Sequence, residues 1–423
     1  MNLEFARYSL SNGIMLIVRE NHHAQSVMVR GYLRGGANLD PPEKIGLAAF
    51  TADVMRRGTE KRTFNEINET IEAVAASVYV NAGRHLLGFG GKSLAVDFEL
   101  LVELMTDNIL CPALPAKEVE KLRGQIITDL KELEDDPGGL ARRYFREILY
   151  PPDHPYSRPV EGTLKSIPHL SRADLLDFYQ ALHPHGGIVV VVGDVTGEFV
   201  YQTLEATLGQ WAPTHPPPDT AVPLPAPLSE PIRSLHKMDN KSQTDLALGH
   251  IGPQRVADDF YAAYVGNTIL GQLGLGGRIG HSVRDNQGLA YYAGASMLSG
   301  LGPGPWFVYA GVNPAAVDQA IELILTEIRR FNQELVTDQE LADAKAYLTG
   351  ILPLQMESNE GIAATLMEMQ IYQLGDDFVT RYPDLIYAVT KEDIQAAARK
   401  YLSDTVYALS IAGPYQGTAS DES

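Results

Sequence analysis

A proline-rich stretch divides this chain into two halves that repeat one order of elements, and that duplication is the strongest constraint on its fold. Residues 213–231 carry eight prolines, which remove backbone donors and favour an extended, semi-rigid connector. Ahead of it, alternation over 26–33 predicts a strand, and the apolar segment 46–56 follows. Thr63 and Glu66 have the spacing of a capping box opening a helix, striped by Ile67, Ile71, Val74 and Val78. A hairpin is expected over 77–91, a helix over 94–109, and a long helix over 116–134 with Val119, Leu122, Ile126, Leu130 and Leu133 on one face. The apolar run 188–192 reads as a buried closing strand.

The second half repeats this order. A strand is expected over 245–251, an Ala- and Leu-rich helix over 257–273 and central strands within 291–312. Val317, Ile321, Ile324, Ile328 and Phe331 stripe the next helix, Thr337 and Glu340 open a long one, and 407–411 closes the half. Ala95-Val96-Asp97 recurs as Ala316-Val317-Asp318. A repeat this long means two duplicated domains rather than a solenoid. Strands and helices without strict βαβ alternation point to an α+β class, each domain a mostly antiparallel sheet packed with helices. The expected domains are 1–212 and 232–423, joined by 213–231.

Charge narrows the partners. With 53 acidic against 34 basic residues, the formal charge is -19, which disfavours nucleic acid and anionic membranes. Cys111 is the single cysteine, so neither an internal disulfide nor a cysteine-based zinc cluster can form. No window reaches the ~18 apolar residues of a membrane span. The first residues lack a basic-then-apolar signal pattern, so a cytoplasmic location is expected.

The segment 46–62 carries Gly46, Leu47 and Ala48 at one end and Gly58, Thr59, Glu60, Lys61 and Arg62 at the other. This frame resembles the zinc helix of pitrilysin-like (M16) peptidases, inverzincins whose His-x-x-Glu-His places two histidines one helical turn apart. The resemblance covers nearly the whole chain and implies two similar halves closing around a chamber. It also puts the strands 188–192 and 407–411 in corresponding sheet positions. The ligand and base positions, however, hold Ala49, Ala52 and Asp53. A methyl group neither donates a lone pair to Zn²⁺ nor takes a proton from water. The family's third ligand is a Glu on the long helix before an acidic Asp-Pro turn. That turn matches at Asp135, Asp136 and Pro137, and Asp129 stands at the ligand position. At most two carboxylates, Asp53 and Asp129, remain without imidazole, so no metal is expected in this chain. The expected arrangement is that Asp53 and Asp129 are solvated or paired with Arg56 or Arg57.

In the second half, residues 278–293 resemble the family's Arg/Tyr signature, in which an Arg and a Tyr seven residues later face the zinc site. Arg284 and Tyr291 match it in type and spacing, within Gln287, Gly288, Leu289 and Ala290. A guanidinium and a phenol can donate to a peptide carbonyl and to the oxyanion formed when water attacks it.

Other signals fail. Gly90, Gly91, Lys92 and Ser93 echo a phosphate loop, but Leu86 occupies the first glycine's place, and Ile279 breaks the Gly-x-Gly-x-x-Gly pattern after Gly274. His22 with His23 reads as a loop at a strand end, His183 with His185 has no evident third ligand, and no Gly-x-Ser-x-Gly elbow is present. The resemblance therefore implies a non-catalytic subunit that binds peptides and presents Arg284 and Tyr291 to a zinc-bearing M16 partner, in a heterodimer or else a homodimer, with zinc held by the partner. The alternative is a structural scaffold subunit with no proteolytic role.

Overall fold

The computed structural model describes residues 3–415. The chain opens with strands β1 (Ala6–Ser9), β2 (Met15–Glu20) and β3 (Ser26–Arg34), then helices α1 (Leu47–Met55) and α2 (Phe64–Ala73). A hairpin of β4 (Ser77–Ala82) and β5 (Leu86–Leu94) precedes α3 (Phe98–Leu110), α4 (Ala116–Leu133) and α5 (Pro137–Leu149). The first half ends with α6 (Arg172–Gln180), β6 (Ile188–Gly193) and α7 (Gly197–Glu205). After the connector come β7 (Ile232–Lys237), β8 (Thr244–Ile251), α8 (Phe260–Gly271), the single turn α9 (Gly277–Gly280), β9 (Ala290–Met297) and β10 (Pro305–Val312). Helices α10 (Val317–Gln333), α11 (Asp338–Gln355), α12 (Asn359–Ile371), α13 (Phe378–Tyr387) and α14 (Lys391–Tyr401) lead to β11 (Ala408–Gly413).

Sheet topology displays the duplication. One sheet runs β1-β2-β6-β3-β5-β4 and the other β7-β11-β8-β10-β9. Without β1 the first has the plan of the second. β2 lies parallel to β6 as β7 does to β11, and every other pair is antiparallel. The closing strands β6 and β11 hold corresponding places. The class is α+β, two mostly antiparallel sheets packed with helices.

The compact units are not the sequence halves. One contains the chain up to Leu130, Pro159–Ala221 and Leu352–Thr380; the other contains Lys131–Arg158, Val222–Ile351 and the chain from Arg381 onward. Each half thus supplies a helical segment to the unit formed around the other half's sheet. α5 packs on β8, β11 and β7, while α12 packs on β6 and β3. The sequence explains both seats. Asp136 caps α5 by accepting from Gly138 N at 3.0 Å, Pro137 begins it, and Leu140, Ala141, Phe145 and Leu149 bury its apolar face. Phe145 meets Phe307 of β10 with ring centroids 5.2 Å apart. At the start of α12, Asn359 Nδ2 donates to the Ser26 carbonyl of β3 at 2.9 Å.

Several local expectations shift. The capping box of Thr63 and Glu66 forms, but α2 ends at Ala73. Ala75 takes a left-handed φ of 49°, so Val78 enters β4 and the helical stripe overruns. The repeated tripeptide is not a structural repeat, because Val96 is 88% exposed whereas Val317 is 1% exposed. Between Gln210 and Ile232, residues 211–231 form neither helix nor strand. This connector is pinned where Val222 and Leu228 pack beside Phe145, Tyr150 and Tyr156, and where His154 Nε2 donates to the Pro223 carbonyl at 2.9 Å. Among the described residues, no helix is long and apolar enough to cross a membrane.

Candidate functional site

Helix α1 is built by its flanks. Gly46 begins it with a left-handed φ of 93°, and an added Cβ there would lie 2.6 Å from Gly162 Cα. The buried Asp40 carboxylate accepts from Gly46 N at 2.8 Å and Ala48 N at 2.9 Å, satisfying amides of the first turn. Gly58, at φ 137°, follows the helix and bridges to Thr63, while Thr59 bridges to Pro112. These glycines stand where the backbone needs them whether or not metal is bound.

Between the flanks there is no ligand set. Ala49 is partly buried and Ala52 is 0% exposed within the apolar core beside Ala48 and Val54. Asp53 is half-buried and pairs with Arg56 at 3.2 Å. Burial pushes its carboxyl up, against the pull of Arg56 and Arg57. Asp129 lies on an exposed position of α4. Among the described residues, no group of three or more His, Cys, Asp or Glu side chains is arranged to hold a metal ion. The side chains at these positions offer two separate carboxylates and two methyl groups, which suits neither tight zinc binding nor activation of water.

Arg284 and Tyr291 belong to the other unit. The former lies in a π-helical turn, His281–Asp285, that follows α9. Its side chain is about one-fifth exposed and Nε donates to Asp285 Oδ1 at 2.8 Å. The Arg284 guanidinium in turn holds the Asp285 carboxyl below its ordinary range. Gly288, with φ 64°, turns the chain toward β9. There Tyr291 is 86% exposed. Its neighbour Tyr292 points elsewhere, donating its hydroxyl to the buried Asp245 carboxylate of β8. Nothing local in the sequence names this partner; the Tyr-Tyr doublet at the start of β9 is its one visible sign.

Comparison with known proteins decides the family. A family model described as insulinase (peptidase family M16) matches residues 15–163, and one described as peptidase M16 inactive domain matches residues 169–348. The chain belongs to the M16 peptidase family. An uncharacterized zinc protease of Streptomyces coelicolor is 25% identical over 419 residues, spanning 96% of this chain and 89% of that protein. The β subunit of the mitochondrial-processing peptidase of Bos taurus is 23% identical over 421 residues, spanning 96% of this chain and 84% of that one. The crystal structure of a peptidase M16 inactive domain from Pseudomonas fluorescens shares the fold with a TM-score of 0.91 at 24% identity, covering 99% of this M16 chain and 100% of that chain. A protease from Helicobacter pylori superposes with a TM-score of 0.89 at 18% identity, covering 98% and 100%.

Proposed function

We propose that this M16 chain is the non-catalytic subunit of a zinc peptidase, supplying Arg284 and Tyr291 to peptide substrate held at the metal of a second M16 chain. The observation that carries the reading is the contrast between two sites in one molecule. On α1 the ligand and base positions are filled by Ala49 and by a fully buried Ala52. On β9 the matching tyrosine stays in solvent with its phenol free to donate. Similarity over most of the chain to a protein named as a peptidase subunit supports a shared-labour arrangement.

In this reading zinc would be held by the partner, where it would supply Lewis-acid chemistry to the scissile carbonyl and to water. This chain contributes only donors. Tyr291 Oη and the Arg284 guanidinium orient the substrate carbonyl and stabilise charge on its oxygen as that charge develops. Asp285 accepts from Arg284 Nε and so limits the rotamers of the guanidinium.

The test uses the full chain reconstituted with an M16 chain carrying an intact His-x-x-Glu-His motif, with cleavage of a fluorogenic peptide as readout. Arg284→Ala and Tyr291→Phe should each lower turnover by ~10²-fold, the scale of one lost oxyanion donor. Assembly should stay near wild type in both variants, and so should the thermal midpoint of Tyr291→Phe, because Tyr291 is largely exposed. Unchanged cleavage in both variants would show that the clamp does not act on substrate, leaving the scaffold role.

A further inference from the structure

The register of β9 against β10 singles out one residue. Gly311 pairs with Tyr292 and the next residue, Val312, pairs with Ala290, so the ladder skips Tyr291. Tyr291 is thus the extra residue of a β-bulge, a device that bends a strand and re-aims a side chain. Immediately beside it, three residues line up across three strands. Asp245 of β8 stands opposite Gly311 of β10, and Gly311 stands opposite Tyr292 of β9. The middle position has no side chain, and through that gap the Tyr292 hydroxyl reaches the Asp245 carboxylate. A Cβ on Gly311 would lie 2.7 Å from Tyr292 Cε1 and would also collide with the Gln243 amide. Gln243 Nε2 completes the arrangement, donating to both Asp245 oxygens at 3.1 Å. Asp245 is 4% exposed, and burial together with its charge pushes the Tyr292 phenol up, keeping it a donor. From α5, Gly138 faces the same hydroxyl, so no bulkier side chain intrudes on it.

We infer that Asp245, Gly311 and Tyr292 form a lock that fixes the bulge and holds Tyr291 outward, making them positioning residues for the clamp. The inference rests on the proposed role of Tyr291 for its consequence in catalysis, but not for the lock itself. Strand residues alternate faces, so anchoring Tyr292 inward on Asp245 dictates where the bulged Tyr291 points. Without the anchor, β9 can slip by one residue against β10, and the tyrosine at 291 then leaves its exposed position.

Two measurements on the full chain separate the lock from the clamp. The first is amide hydrogen exchange over residues 289–294 and 310–313 in the isolated protein. Tyr292→Phe and Gly311→Ala should raise exchange there by about tenfold or more while the rest of the sheet keeps its protection. Asp245→Asn keeps an oxygen that accepts the Tyr292 hydroxyl, and should stay within about threefold of wild type, whereas Asp245→Leu should behave like Tyr292→Phe. The second is peptide cleavage by the reconstituted complex, where Tyr292→Phe should lower kcat in the manner of Tyr291→Phe with KM altered less than about twofold. Unchanged exchange at the bulge in Tyr292→Phe and Gly311→Ala would overturn the lock. Faster exchange with wild-type kcat in Tyr292→Phe, where Tyr291→Phe is impaired, would overturn the positioning role. Faster exchange in a complex that Tyr291→Phe leaves fully active supports the lock and sinks only the clamp.

Discussion

At the scale of single residues, the segment 46–62 shows which parts of a motif the backbone itself requires. Gly46 and Gly58 each adopt a left-handed backbone conformation that favours glycine, and Gly46 also lies against Gly162. Those flanks made the family legible in the sequence while the functional positions between them had changed. Gly46→Ala should therefore destabilise the chain by about 1–3 kcal/mol in urea unfolding, through strain and the close contact at Gly162. Ala52 shows how far the site has closed. It is fully buried among apolar side chains, so Ala52→Glu should cost about 2 kcal/mol or more for burying a carboxyl with no partner. A stability change near zero would mean that room for the base remains. Asp53 found Arg56, a pairing that helical spacing suggests in advance. Asp245 and Tyr292 could not be paired in advance, because their contact crosses three strands and depends on register.

At the scale of elements, periodicity and caps identified α4, α10 and both closing strands close to their observed bounds, and the starts of α2 and α11. Failures came where a tertiary demand overrode the local pattern. Val74 and Val78 continue a helical stripe, yet the chain turns at Ala75 because Val78 must pair with Gly91 in the hairpin. The helix α5 escaped notice: a charged segment with Arg142, Arg143 and Arg146 hides an apolar face of Leu140, Ala141, Phe145 and Leu149. That face seats it on the sheet containing β8 and β11. Phe145→Ala should destabilise by about 3–5 kcal/mol, the cost of deleting a fully buried aromatic, measured by urea denaturation. A loss below about 1 kcal/mol would show that α5 is not part of that core.

At the scale of the whole molecule, duplication was legible and segment exchange was not, since nothing local in α5 or α12 says which sheet each will cover. Exchange has a consequence for the connector. A protease cut within 213–231 should give two fragments that co-elute under native conditions and separate only in denaturant, because α5 sits on one sheet and α12 on the other. Fragments that part on native gel filtration would contradict this. Acid should weaken the fold. His250 is pushed down to about 4 by burial, as is His85, so at these two sites the unfolded chain binds more protons than the folded one between about pH 6.5 and 4. Stability should fall across that window as pH drops, His250 alone contributing a slope of up to ~1.4 kcal/mol per pH unit. His250→Gln should flatten the slope in urea titrations at successive pH values. The central claim, that this chain left the metal to a partner and kept the donors, is tested most directly by elemental analysis of the full chain purified without chelator. Zinc far below one equivalent is the predicted result, and one tightly held zinc per chain would contradict it.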